Sequence, residues 1–320
     1  RSCQTVIVSS CLFISFTVHS TRHCLFMVIG KQNTILITGA TGFVGNHVIR
    51  ELLQKNLVLI ATSRSKADAN KFPWINDVEF IPSDLNEARD DWYSHFGKPD
   101  LLIHLAWEGL PNYKELFHCE RNLPSNYVFL KNMVENGLAR VVVAGTCFEY
   151  GMHGGELRED MDTMPNTPYA VAKDSLRQCL EQLNNKIDFD LKWLRLFYMY
   201  GKGQSPTSVL SQLQTALDQG DRVFKMSDGT QLRDYLSVEK AANYISRIST
   251  QDKVSGVINC CSGKPISIRT LVENYLYENN KNIKLQLGYY PQADYEPARF
   301  WGNTDKLNKE EDNRLCPKCK

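Results

Sequence analysis

Apolar residues fall into short continuous runs separated by amphipathic stretches over the first two thirds of the chain. Residues 34–38, 57–62, 78–81, 100–105, 140–144 and 191–197 are runs of strand length, too short for helices and bounded by turn formers. Between them, 46–54, 122–136 and 169–183 read as helices, with Pro168 suited to the first helical position of the last. Strands and helices alternating at this interval predict an α/β fold. Its expected form is a Rossmann-like, doubly wound parallel sheet with crossovers on both faces. Beyond 197 the alternation stops. Helices are expected at 208–219, at 239–249 and from 267, with strands near 223–224 and at 257–259, giving a smaller, interleaved C-terminal lobe. Residues 1–26 fit this pattern badly. Their apolar run, 6–18, is broken by Ser9, Ser10, Ser15 and Thr17 and is too short and polar to cross a bilayer. They are expected to be an appended leader, a secretory signal being the alternative.

The first strand runs directly into Gly39-x-x-Gly42-x-x-Gly45 and then a helix. In that context the glycines carry meaning. Gly39 permits a tight turn, Gly42 lets the backbone approach a pyrophosphate, and Gly45 allows the helix to pack closely on the strand. Thr41, Phe43 and Val44 lie in the same turn, at a helix N-terminus suited to phosphate. The expected organisation is therefore a leader (1–30), a dinucleotide-binding domain (31–197, with 255–260 returning to it) and a mainly substrate-binding lobe (198–320).

After the second strand the chain reads Thr62-Ser63-Arg64-Ser65-Lys66, where an NAD site would place an acid for the ribose 2′-hydroxyl. An arginine there suits a 2′-phosphate, so NADP(H) is favoured, with NAD(H) as the alternative. The bland role for Arg64 is to stack on adenine or face solvent. Asp84, with Leu85 after it, follows the third strand and suits the adenine amino group; its bland role is a helix N-cap. Leu105, Ala106 and Trp107 follow the fourth strand, and Thr146 the fifth. In such sheets ligands bind beyond the carboxyl ends of the strands, and these residues converge there.

Tyr169 and Lys173 lie four apart on a helix and share a face. A phenol titrates at about 10, and an ammonium one turn away favours the phenolate and lowers that value. The pair can give a proton to a carbonyl oxygen or take one from an alcohol.

The chain has 320 residues, 42% hydrophobic and 23% charged, with a net charge of +1. A nucleic-acid binder's electrostatic footprint is missing, and no stretch reads as a membrane span. The ten cysteines are scattered, as expected for reduced thiols in a cytoplasmic protein. Cys316 and Cys319 form half a zinc knuckle with no second half, and no metal is expected.

These residues together resemble the extended short-chain dehydrogenase/reductases, the epimerase/dehydratase group acting on nucleotide sugars. The match covers about 33–307 and adds Asn122, Arg195-x-Phe-x-x-Tyr-Gly201 and Arg233-Asp-Tyr-x-x-Val238 to the motifs above. The resemblance implies that Tyr169 is the proton donor or acceptor. Lys173 would tune it and contact the nicotinamide ribose, Thr146 would hold the reacting oxygen, and Asn122 would support them. Arg233 would bind the nucleotide diphosphate, its bland role being a salt bridge with Asp234. Trp107, Tyr113 and Tyr198 are candidate sugar-facing residues. The group's dehydratases carry an Asp-Glu pair after the active-site threonine; Cys147 and Phe148 stand there here, against dehydration. Cys147 as an extra acid/base for epimerisation through carbons 3 and 5 is weighed against a buried thiol, and the thiol is preferred.

The nearest resemblance is to bacterial 4-keto-6-deoxyhexose reductases, which act on dTDP- or CDP-linked sugars for surface polysaccharide. That implies reduction at carbon 4. A 4-epimerase with tightly bound NAD and a non-catalytic dinucleotide sensor are the alternatives. Members of the group commonly pair through two helices, here 122–136 and 169–183, so a homodimer is expected.

Overall fold

The computed structural model describes residues 33–309. The leader, Cys316 and Cys319 lie outside the described residues.

The strands are β1 (Thr34–Thr38), β2 (Val58–Thr62), β3 (Glu79–Phe80), β4 (Leu101–His104), β5 (Arg140–Thr146), β6 (Gly155–Leu157) and β7 (Asp190–Leu196). They continue as β8 (Tyr198–Tyr200), β9 (Val223–Lys225), β10 (Leu232–Ser237), β11 (Gly256–Cys260), β12 (Pro265–Ser267), β13 (Lys284–Gln286) and β14 (Phe300–Gly302). The helices are α1 (Phe43–Leu53), α2 (Lys66–Ala69), α3 (Trp92–His95), α4 (Leu123–Glu135) and α5 (Pro168–Asn184). After them come α6 (Val209–Asp218), α7 (Val238–Ser249), α8 (Ile268–Glu278) and α9 (Asp305–Asn308).

Seven strands form one sheet in the order β11-β7-β5-β4-β1-β2-β3, every neighbouring pair parallel. The order reverses at β1, and the crevice between β1 and β4 is where such sheets take a ligand. Alternation along β1 divides the core: Ile35 and Ile37 face α1 and α7, with Val48, Ile49, Ala241 and Ile245. Leu36 faces α4 and α5, with Phe129, Leu130, Leu176 and Leu180. Burying each large aliphatic side chain contributes roughly 1.5–3 kcal/mol, so both faces of the sheet are held.

The edge strand β3 is shorter than its apolar run. Glu79 and Phe80 pair with Ile60 and Ala61, and the Ile81 amide still donates to the Ala61 carbonyl at 3.0 Å before the chain leaves the sheet. The start of α4 also differs from a plain helix. Residues 118–122 make a π-turn, and Pro124 sits in the first turn of α4, where no amide donor is needed.

The second half contains more strand than its pattern shows. β10 pairs with β8 in parallel and with β12 antiparallel, β9 with β13, and β14 with β6. α6 and α8 bury Leu210, Leu213, Leu271 and Val272 with Phe224 and Met226. β11 lies in the large sheet beside β7.

Among the described residues no helix is long and apolar enough to cross a membrane. No group of His, Cys, Asp and Glu there could hold a metal ion, and Cys119, Cys147, Cys179, Cys260 and Cys261 are free thiols.

Candidate active site

The glycine turn closes the crevice from below. Gly39 has φ +68°, and a Cβ there would lie 2.8 Å from the Ala106 amide nitrogen and 2.9 Å from the Leu105 carbonyl carbon. A Cβ on Gly45 would run into the Gly39 carbonyl. The bends after β1 and β4 thus touch, and only glycine fits between them. Thr38 Oγ1 ties the same two bends, accepting from the Ala106 amide at 3.3 Å and bonding His104 Nδ1 at 2.9 Å. Burial holds His104 at about 3, so it is neutral and structural. The N-cap of α1 is Gly42, and no side chain caps the helix. Its first amides, beginning at Phe43 and Val44, meet no side-chain acceptor from the cap, and Thr41 precedes them. That cradle fits a dinucleotide pyrophosphate.

Asp84 and Arg64 follow β3 and β2 at the rim. Asp84 is not a helix cap. Its Oδ1 accepts from the amide and Nδ2 of Asn86 at 3.0 and 2.9 Å, while Asp91 caps α3. Leu85 packs partly buried on the α4 side of the core. Arg64 faces solvent, its side chain 62% exposed, and its Nη1 donates to Glu108 Oε1 at 2.6 Å.

Thr146, Tyr169 and Lys173 are brought together and buried. Thr167 caps α5 through the Ala170 amide, with Pro168 in the first turn, which fixes where Tyr169 enters. The Tyr169 amide donates to the Tyr113 carbonyl at 3.1 Å. Burial, with Tyr113 close by, pushes the Tyr169 phenol far up, and a hydrogen bond with Thr146 pulls against it. The expected lowering by Lys173 does not occur in this state. Lys173 Nζ instead donates to the Ala144 carbonyl at 2.8 Å and lies 3.8 Å from the centre of the Trp107 ring. Burial lowers the Lys173 ammonium to about 7.

Trp107 therefore roofs the lysine. Its Nε1 donates to His118 Nδ1 at 3.1 Å. Because indole can only donate, His118 carries its proton on Nε2, where it donates to the Asn112 carbonyl at 3.0 Å. Asn122 is buried beside His118, with its Nδ2 3.2 Å from His118 Nδ1 and 2.9 Å from the Glu108 carbonyl. It supports the cluster at one remove.

Sequence reasoning missed the group behind Thr146. Glu149 is fully buried. Its carboxylate accepts from the Thr146 amide at 2.9 Å, from Trp193 Nε1 at 2.9 Å and from Arg195 Nε at 2.8 Å. Burial pushes its carboxyl up and Arg195 pulls it down. It holds the end of β5 against β7. Arg195 stands in one of the motifs above, but its pairing with Glu149 across two strands carries no sequence signal. Cys147 is a buried thiol, pushed well up by burial and by Glu296.

An aromatic wall leads from Tyr169 toward the second lobe. Phe148 lies 5.0 Å from Tyr113, 6.3 Å from Tyr169, 6.0 Å from Tyr198 and 6.1 Å from Tyr295, centre to centre. Beyond it is a cleft of about 380 Å3 lined by Tyr198, Gln231, Arg233, Tyr235 and Glu296, among others. Gln231 Oε1 is buried with no hydrogen-bond partner among the described residues, and the buried Tyr198 hydroxyl lies beside the Glu296 carboxylate. Arg233 does not pair with Asp234. Its Nε donates to Glu296 Oε2 at 2.8 Å, while Asp234 accepts from the Ser262, Gly263 and Gly302 amides. Tyr295 and Glu296 come from an irregular loop with no sequence signal.

Residues 35–261 match the NAD dependent epimerase/dehydratase family. A dTDP-6-deoxy-L-talose 4-dehydrogenase (NAD(+)) from Aggregatibacter actinomycetemcomitans is 31% identical, over 84% of this chain and 98% of its own. A UDP-glucose 4-epimerase from Halalkalibacterium halodurans is 26% identical, over 85% of this chain and 87% of its own. The crystal structure of a UDP-glucuronic acid 4-epimerase from Bacillus cereus, in complex with UDP-glucuronic acid and NAD, superposes with a TM-score of 0.74. It covers 86% of this chain and 92% of its own at 20% identity, which speaks to the fold.

Proposed function

The chain belongs to the NAD dependent epimerase/dehydratase family and is an NAD-dependent enzyme, and from that premise we propose that it reduces the 4-keto group of a nucleotide-linked 4-keto-6-deoxyhexose, the nucleotide being dTDP. The observation that carries this reading is what surrounds Thr146. Beside the Thr146, Tyr169 and Lys173 cluster stand a neutral thiol, Cys147, and a hydrocarbon ring, Phe148. One proton donor without a second acid/base pair suits hydride transfer at a single carbon, and not elimination of water. The dTDP-sugar 4-dehydrogenase relative supports carbon 4 and the dTDP carrier.

The dinucleotide would be held by Gly39, Thr41, Gly42, Phe43, Val44 and Gly45, with Asp84, Leu85, Leu105, Ala106 and Asn122 around it, and would supply the hydride. The chain's own residues manage the proton. Burial keeps Tyr169 protonated, as a donor in the reducing direction must be. Thr146 Oγ1 orients the substrate oxygen, its backbone locked by Glu149. Lys173, one turn along the same face, offsets charge on the phenolate left behind. The aromatic wall excludes water. In the cleft, the unsatisfied Gln231 Oε1 fits a ligand that donates a hydroxyl or amide hydrogen bond. Arg233, its Nε fixed by Glu296, is proposed to meet the diphosphate. NADP(H) would need Arg64 to leave Glu108. A homodimer through α4 and α5 completes the reading, supported by Val128 and Val171, which are 61% and 38% exposed.

Mixing the protein with reduced dinucleotide and dTDP-4-keto-6-deoxyglucose tests this. Stoichiometric loss of nicotinamide absorbance supports a reductase. Interconversion of a 4-hydroxy sugar with no net loss of reduced dinucleotide supports the rival 4-epimerase, which needs the same residues and is favoured by the 26% identical relative.

A further inference from the structure

Arg64 follows β2 and Glu108 follows β4, and in the sheet β1 lies between those two strands. Their 2.6 Å ion pair therefore spans the carboxyl end of β1, where the glycine turn stands. It is the side of the crevice on which the adenosine ribose of a dinucleotide rests.

Glu108 is fixed from several directions. Asn122 holds its carbonyl at 2.9 Å, and Arg121 Nη2 lies 3.3 Å from its Oε2. The next residue, Gly109, has φ +81° with the Phe117 ring packed where a Cβ would be. The side chain is 32% exposed, against 62% for Arg64. Glu108 is thus the anchored member of the pair and Arg64 the one that is held.

We infer that Glu108 sets the choice of dinucleotide, making this chain prefer NAD(H) over NADP(H). The acid that NAD sites carry after the second strand is missing from Thr62-Ser63-Arg64. Here it is delivered from the loop after β4 instead. A ribose 2′-hydroxyl can donate to the Glu108 carboxylate. A 2′-phosphate has no proton to give it, is repelled by it, and must take Arg64 away from it. The inference rests on the dinucleotide reading above but not on the identity of the sugar.

The test is equilibrium binding of NADH and NADPH separately, read by quenching of protein fluorescence, with no sugar present. Wild type is expected to bind NADH more tightly. Glu108→Gln should move the ratio of dissociation constants toward NADPH by roughly fivefold, the size of one half-exposed ion pair. Arg64→Ala, at an exposed side chain that folding does not require, should change wild-type NADPH binding by less than about twofold, since Glu108 already holds that arginine. A wild type that prefers NADPH overturns the inference. So does Arg64→Ala weakening NADPH alone by about tenfold, or a Glu108→Gln variant that binds NADH but keeps the wild-type ratio. Failure of wild type to bind either dinucleotide removes the dinucleotide reading itself, and the inference with it.

Discussion

At the scale of the residue, spacing gave the Tyr169 and Lys173 pair but not its electrostatics. Four residues on a helix put both side chains on one face, and that needs no tertiary knowledge. Their titration depends on burial, and burial comes from Tyr113, Trp107 and Phe148, which the chain brings from other elements. The consequence for Lys173 is measurable. Its ammonium falls from 10.5 to about 7 on folding, through desolvation that Glu149 only partly offsets. Between those values the unfolded chain binds a proton that the folded chain does not, so stability rises with pH across that window. Lys173→Met should lose this rise, flattening the stability profile between about pH 7 and 10, as read by urea unfolding at a series of pH values. An unchanged slope would place the lysine in water. Arg233 teaches the same lesson from the other side. Its neighbour in sequence, Asp234, was the obvious partner, yet alternation along β10 turns the two to opposite faces, and Glu296 takes the arginine.

At the scale of the element, the strands were legible as continuous apolar runs because both faces of the large sheet are buried, and the helices by the period that one buried face imposes. Pro168 marks the start of α5 as expected, whereas α1 begins at Phe43, ahead of the expected 46, and the Ser237 cap sets the start of α7. What stayed hidden depends on neighbours: the shortened edge strand β3, and the short strands of the second lobe, whose pairing joins residues as distant as Gly155 and Phe300. The end of β5 is the element on which the site depends. Glu149 joins it to β7 through Trp193 and Arg195, both buried. Glu149→Ala should cost about 3–5 kcal/mol, since it strands the Arg195 charge in the interior, and should free the Thr146 amide. Chemical denaturation measures the first effect. A loss under about 1 kcal/mol, the value of an exposed pair, would mean that Arg195 finds water.

At the scale of the whole molecule, the large sheet supplies the dinucleotide crevice and the second lobe the cleft, with Phe148 and Tyr198 between them. The doubly wound parallel sheet was readable from the alternation of strand and helix; the cleft was not, since Tyr295 and Glu296 lie in a loop without periodicity. If the protein pairs through α4 and α5, Val128→Glu should convert a dimer to a monomer in sedimentation velocity while leaving the fold intact. A dimer that survives this change, or a wild-type monomer, would remove that part of the reading.

The central claim is that Tyr169 passes the proton that accompanies hydride transfer. A single-turnover measurement of Tyr169→Phe with dTDP-4-keto-6-deoxyglucose and reduced dinucleotide tests it most directly, alongside dinucleotide binding by the same variant. Turnover should fall by roughly 100- to 10,000-fold, with the dissociation constant for the dinucleotide nearly unchanged. Turnover close to that of wild type, with binding intact, would contradict the account and move the proton to another donor.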